Sequence, residues 1–329
     1  MTTHRRVICE ALEGPGALRL VEAESRAPGP CEVRLAMRAA AVNFPDLLMT
    51  RGGYQAKPDL PFCPGLEAAG VVLEVGAEVE GWRVGQRAIA LTGPHHPAFS
   101  EEITLPAALL LRPPPSLSEA EAAALHVCHW TALHALWHRG RLARGEALAV
   151  LGAAGGVGLA AVQIGAAMGA RVAAVARGAA KAEALRAEGA EIVIDPERED
   201  LRAALKAFGG GGIDVVLDPV GGAMFEPALR ALRPEGRHLV IGFAAGAPGA
   251  LAANIALIKQ IELIGVRAGE FGRRHPGKML AGHARLTRWI ESGRFRPRIH
   301  AAYPLSRAAD ALRALEGGGV LGKIVVVPD

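Results

Sequence analysis

Gly152-Ala153-Ala154-Gly155-Gly156-Val157-Gly158 is a run of residue types suited to bringing backbone close to a phosphate. Residues 147–151 ahead of it are short and apolar, as a buried parallel strand should be. Residues 159–168 then read as a helix and residues 171–175 as a second strand. Strand, glycine turn, helix and strand together make the context of a dinucleotide site. Without side chains at Gly155, Gly156 and Gly158 the backbone can turn tightly and approach a pyrophosphate. The helix N-terminus then offers unpaired N–H groups and a partial positive charge to that anion. The motif departs from G-x-G-x-x-G at its first glycine, where Ala153 stands.

The end of the second strand bears on which dinucleotide fits. An acid there would accept from a ribose 2′-OH, whereas an arginine suits a 2′-phosphate. The chain has Arg177 in that place, Lys181 about one helical turn on, and no carboxylate before Glu183. Arg177 can meet a phosphate with a planar fork and Lys181 adds a point charge. These two cations predict NADPH; the alternative is that both are solvated surface charges.

The 329 residues are enough for two domains of ordinary size, half of them apolar and 21% charged, as in a soluble globular protein. No apolar run approaches the roughly 18 residues of a membrane span. The basic start, Met1 to Arg6, soon meets Glu10 and Glu13 and lacks a signal-peptide core, which predicts a cytosolic protein with no membrane partner. A net charge of +4 is dispersed apart from residues 267–278 and 294–298, so nucleic acid is not implied. Cys9, Cys31, Cys63 and Cys128 lie far apart without a C-x-x-C pair; most read as small buried hydrophobes rather than zinc ligands or a disulfide framework.

Stepping outward from the glycine turn, residues 1 to about 122 read as β-rich, with strands at 33–37, 70–75 and 87–90. Pro113-Pro114-Pro115 marks a boundary, with Ser118 as a helix cap. From about 123 to 265 strands and helices alternate, with further strands at 191–195, 214–218 and 238–242, giving a doubly wound parallel sheet of α/β class. The remainder carries one helix, 278–291, and a final strand, 323–327, that returns to the first domain. Gly209 to Gly212 reads as a flexible turn.

Ala41-Val42-Asn43-Phe44-Pro45-Asp46, Pro64-Gly65-Leu66-Glu67-Ala68-Ala69-Gly70, the Gly-Gly-Val-Gly turn and Val240-Ile241-Gly242-Phe243 resemble the medium-chain dehydrogenase/reductase superfamily, and within it the zinc-independent NADPH:quinone oxidoreductases. The resemblance implies a Rossmann dinucleotide-binding domain over 123–265. It also implies a discontinuous, β-rich GroES-like catalytic domain over 1–122 and 266–329. Zinc-dependent members place a cysteine where this chain has Asn43 and a histidine where it has Leu66; neither replacement suits zinc. The other metal sets open to the sequence are His95-His96 and His126-x-Cys128-His129, which read instead as an exposed loop and a helix lining a cleft.

Without a Lewis acid, an alkoxide is hard to stabilise and simple alcohol oxidation is disfavoured. Hydride transfer to a quinone or an activated C=C needs only hydrogen-bond donors for its delocalised charge. Asn43 is the candidate donor to the carbonyl oxygen. Tyr54 matches a tyrosine that donates a proton in related enoyl reductases. The bland alternatives are that Tyr54 packs on a loop and Asn43 caps a turn. Leu48 stands where quinone reductases often carry another tyrosine, leaving the pocket more apolar. The resemblance also places Thr131, Gly242, Phe243, Asn254 and Lys323 around the nicotinamide end. Pro196 replaces a tyrosine near the 2′-phosphate. The expected protein is thus a zinc-free NADPH-dependent reductase of small-molecule quinones or enones, working as a homodimer paired through edge strands. The rivals are an enoyl-thioester reductase using Arg273, Arg274 and Lys278 on a CoA phosphate, and a non-catalytic NADPH-binding protein.

Overall fold

A computed structural model describes residues 2–329; Met1 lies outside the described residues. The chain divides into two compact units, Met1–His126 with Arg296–Asp329, and Val127–Phe295.

In the first unit β1 (Thr3–Cys9) and β2 (Leu18–Glu24) pair antiparallel. Strand β3 (Glu32–Ala41) alternates inward with Val33, Leu35 and Met37 buried, the pattern of a strand half-covered by core. It leads into helix α1 (Phe44–Thr50), then β4 (Ala68–Val75), β5 (Arg87–Ala90), β6 (Glu102–Pro106) and β7 (Leu110–Leu111). Ser118 caps α2 (Glu119–Ala123) as expected, and Glu121 returns the bond to the Ser118 N–H, a complete capping box.

Two π-helical turns, His126–Trp130 and His134–Arg139, lie either side of a single α turn, α3 (Thr131–Leu133), and the second unit begins within the first of them, at Val127. Strand β8 (Ala147–Leu151) is wholly buried and enters the glycine turn; α4 (Gly156–Ala167) leaves it. There follow β9 (Arg171–Val175), α5 (Ala182–Ala187), β10 (Ile192–Ile194), α6 (Leu201–Phe208), β11 (Ile213–Asp218), α7 (Phe225–Ala231), β12 (Leu232–Val240), α8 (Ala253–Lys259), β13 (Glu262–Gly265), α9 (Ala268–Arg274) and α10 (Pro276–Glu291). Among the described residues these strands form a six-stranded parallel sheet in the order β10-β9-β8-β11-β12-β13. The order reverses between β8 and β11, which makes the carboxyl ends of those strands the crevice where an open α/β sheet binds its ligand. Gly165 on α4 lets the helix lie close on β8, since a Cβ there would stand 2.6 Å from Leu148.

The chain then returns to the first unit through β14 (Ile299–Pro304), α11 (Ala308–Glu316) and β15 (Lys323–Val327). Strand β15 pairs antiparallel with β3, Val325 opposite Ala41, and parallel with β14. The first unit is discontinuous, but the division differs from the expected 122/123 and 265/266. It falls after His126 and after Phe295, so α9 and α10 belong with the nucleotide-type sheet. The reason is Trp130, whose indole N–H donates to the Ala268 carbonyl at 3.1 Å, while Gly282 of α10 leaves room for its ring.

Two local expectations also shift. Helix α4 starts at Gly156 rather than 159, because burial of its face outweighs the poor helix propensity of glycine. The cysteines are all free, but only Cys9 and Cys128 are buried; Cys31 is exposed and donates to Glu78 at 3.1 Å.

Candidate active site

The glycine turn is built as its sequence demands. Gly152 takes φ +59°, and Val220, from the loop after β11, lies where its Cβ would be. Gly158, in the first turn of α4, would put a Cβ 2.2 Å from the Gly152 carbonyl oxygen, so helix and turn touch backbone to backbone. Gly155 is different: it caps α4 in an extended conformation, is exposed, and a Cβ would meet only Gly152 O at 3.5 Å. Its missing side chain serves no internal contact and leaves the helix N-terminus open to an anion. Ala153 and Ala154 are buried, Gly156 and Val157 half-buried.

The neighbouring strand ends converge on that turn. Asp218 Oδ1 accepts from the N–H groups of Val220 and Gly221, both at 2.8 Å, and Oδ2 meets His238 Nε2 at 3.0 Å. This buried pair fixes the carboxyl ends of β11 and β12. Phe243 just beyond is 45% exposed, with its ring against Gly221. Gly242 is half-buried and Asn254 is exposed in the first turn of α8. Thr131 is half-buried and its hydroxyl donates to Val127 O at 2.6 Å, which leaves the oxygen free to accept.

Arg177 and Lys181 come together after β9, close enough that Arg177, after burial, helps lower the Lys181 ammonium below its ordinary range. The turn after β10 also brings two carboxylates there. Glu197 lies 3.6 Å from Arg177, and Asp195 Oδ2 accepts from the Gly178 N–H at 3.1 Å. Reading along the strand shows no acid before Glu183, because these two arrive from the neighbouring strand.

In the first unit a buried polar cluster surrounds Asn43. The residue opens α1 with Pro45 in the first turn, where a missing N–H costs nothing. Its backbone N–H donates to Asp46 Oδ2 at 2.8 Å, and Asp46 Oδ1 accepts from Gly65 N–H at 3.1 Å. Burial pushes the Asp46 carboxyl up to about 7, against the pull of those N–H donors and of Lys323. The Asn43 amide nitrogen donates to Ala41 O at 3.2 Å and to Glu67 Oε1 at 3.3 Å. Lys323, first residue of β15, donates to Asn43 Oδ1 at 2.6 Å and to Val42 O at 2.8 Å, and lies 3.7 Å from Glu67. Its ammonium is therefore directed inward, within the first unit. Asn43, Asp46, Glu67 and Lys323 are each at most 5% exposed. Tyr54 is half-buried, with its ring against the apolar core of the same unit. Glu67 and Asp46 had no role in the sequence reading; a signal for them is two acids within apolar surroundings.

His129 Nε2 meets Gln163 Oε1 at 2.9 Å, in a buried chain continued by Gln163 Nε2 donating to Glu188 at 2.7 Å. Among the described residues, no three His, Cys, Asp or Glu side chains gather to hold a metal ion. No helix among the described residues is long and apolar enough to cross a membrane.

Residues 29–112 match the alcohol dehydrogenase GroES-like domain and residues 156–281 the zinc-binding dehydrogenase family. The donor set around Asn43 does not fit zinc: an amide is a poor ligand, Leu66 offers none, and the Asn43 oxygen already accepts from an ammonium. Mouse quinone oxidoreductase-like protein 2 is 33% identical over 325 residues, 98% of this chain and 92% of its own. Escherichia coli quinone oxidoreductase complexed with NADPH superposes with a TM-score of 0.89 at 28% identity, covering 99% of this chain and 100% of its own. CurK enoyl reductase superposes at 0.88 with 26% identity, covering 100% of both chains. With the discontinuous GroES-like unit, the parallel Rossmann sheet and these relatives, the chain belongs to the medium-chain dehydrogenase/reductase superfamily, among its quinone oxidoreductase-like members.

Proposed function

We propose that this oxidoreductase uses NADPH to reduce quinones or other α,β-unsaturated carbonyls without a metal. The observation that carries the reading is the Asn43 cluster. Where a Lewis acid would sit there is an amide held by an ammonium, which suits an acceptor whose charge delocalises rather than an alkoxide. NADPH supplies the hydride when bound. Gly152 to Gly158 cradle its pyrophosphate, Arg177 and Lys181 meet its 2′-phosphate, and Thr131, Gly242, Phe243 and Asn254 border its nicotinamide end. Asn43 donates an amide N–H to the acceptor oxygen and Tyr54 delivers the proton.

The similarity to an NADPH-complexed quinone oxidoreductase supports the cofactor and the substrate class. The similarity to an enoyl reductase supports a second reading, thioester reduction. Arg273 and Arg274, the candidate CoA contacts, both pair with Glu270, which weakens that reading. Strand β13 is one of the two edges of its sheet, the other being β10, and Leu257, Ile258 and Leu263 nearby are exposed, which favours a homodimer joined at β13.

The test is oxidation of NADPH and NADH against quinones, simple enones and enoyl-CoAs. The native protein should turn over quinones or enones with NADPH. Arg177→Ala should weaken NADPH far more than NADH, and Tyr54→Phe should lower enone turnover about tenfold or more. Equal weakening of both cofactors refutes the phosphate role of Arg177. Turnover confined to enoyl-CoA moves the assignment to thioesters, and tight NADPH binding without turnover points to a non-catalytic protein.

A further inference from the structure

A lysine ammonium has three donors and no acceptor, so the Asn43 atom 2.6 Å from Lys323 Nζ must be the amide oxygen. That assignment turns the amide nitrogen toward Glu67 and Ala41 O, both of them acceptors. The orientation of Asn43 is thus set twice, by a cation at its oxygen end and by an anion at its nitrogen end. Both charges favour the charge-separated form of the amide, which strengthens the nitrogen as a donor. The contacts differ in quality. Lys323 makes its bonds at 2.6 and 2.8 Å, whereas the amide nitrogen reaches its acceptors at 3.2 and 3.3 Å. Of that long pair, the bond to Ala41 O is the one an incoming oxygen would replace, since an oxygen gathering negative charge outcompetes a neutral carbonyl.

We propose that Lys323 is a positioning residue of the active site, whose ammonium, balanced by Glu67, polarises the Asn43 amide and so supplies the fixed positive charge that zinc-dependent relatives draw from a metal ion. This rests on the reading of Asn43 as donor to the substrate oxygen. The role lies inside the first unit and asks nothing of Lys323 toward a cofactor phosphate. The buried Glu67 is compensated by the chain's own ammonium, 3.7 Å away.

Removing one member alone would orphan a buried charge and endanger the fold, so the informative variant is Lys323→Met with Glu67→Gln, which removes both. It should stay folded by thermal unfolding. Its kcat for enone reduction should fall about tenfold or more while KM changes less than about threefold. Adding Asn43→Ala to it should cost little further, because the residues act as one unit. A second readout needs no turnover. With oxidised cofactor bound, 4-nitrophenol serves as an enolate mimic whose phenolate absorbs visibly. The native site should hold it ionised at a lower pH than the double variant does, by about one unit. Native kcat and a native nitrophenol titration in the double variant would overturn the proposal while leaving Asn43 as a donor. If Asn43→Ala itself leaves both readouts unchanged, the donor reading fails and the role of Lys323 falls with it.

Discussion

Two glycines three residues apart in one turn should fail in opposite ways when replaced by alanine. At Gly158 the new methyl would stand 2.2 Å from the Gly152 carbonyl oxygen and 2.8 Å from the Ala153 Cα, both backbone atoms. Since real Cβ atoms do not come within 3.0 Å of such neighbours, α4 would have to move off the turn by close to an ångström. Overpacking of this kind costs about 1–3 kcal/mol, and rigid backbone on both sides puts it at the upper end. For a unit of this size about 3 kcal/mol lowers the melting temperature by roughly 6–12 °C. Gly155 has φ −75° and ψ 171°, open to any residue, and its nearest neighbour is at 3.5 Å. Gly155→Ala should therefore melt within about 3 °C of the native protein, the weaker cap being offset by a stiffer unfolded chain. In the proposed function its methyl would instead stand in the approach of the pyrophosphate, so cofactor affinity should fall about tenfold or more, or 1.4 kcal/mol. Thermal unfolding by circular dichroism and cofactor titration by fluorescence separate the two effects. A Gly155→Ala protein that keeps native affinity, or a Gly158→Ala protein that melts normally, refutes this division of labour.

Other outcomes follow from the same geometry. Asp46, raised from 3.8 to about 7, binds its proton more tightly folded than unfolded, so the stability it lends is complete below about pH 4 and is lost as pH rises through 7. From pH 5 to 8 the native protein should lose up to roughly 3 kcal/mol relative to Asp46→Asn in denaturant titrations; parallel pH profiles would show that the carboxyl does not titrate there. Leu257→Asp with Ile258→Asp should turn a dimer into a monomer by light scattering, with cofactor affinity retained; a native protein that is already monomeric removes the β13 interface.

The parallel sheet was legible because each strand is short, apolar and separated by glycine. Residues 147–151 and 171–175 are strands to the residue, and the turn between them is where its glycines put it. What one sequence could not show were contacts made across strands. Glu197 and Asp195 approach Arg177 from β10, and Lys323 reaches Asn43 across 280 positions. Periodicity reports which face a residue takes but not its partner on the next strand. The domain limits differ for the same reason: after residue 265 the sequence marks a single helix, 278–291, and not α9, and the Trp130 contacts with Ala268 and Gly282 that tie both helices to the second unit are made across more than a hundred positions.

Strand β15 also sets an order of events during synthesis. It follows the whole of the second unit in the chain, so the Ala40–Ala41 end of β3 emerges from the ribosome without its partner and Glu67 without its ammonium. Until residues 127–295 have been made, the first unit is a sheet missing two strands, β14 and β15, and an open edge is a template for pairing with another chain. The second unit has no such debt and can fold as soon as it appears. Yield of this protein should therefore depend on how long nascent β3 must be shielded, and a folding helper that covers that edge would act on the N-terminal half alone.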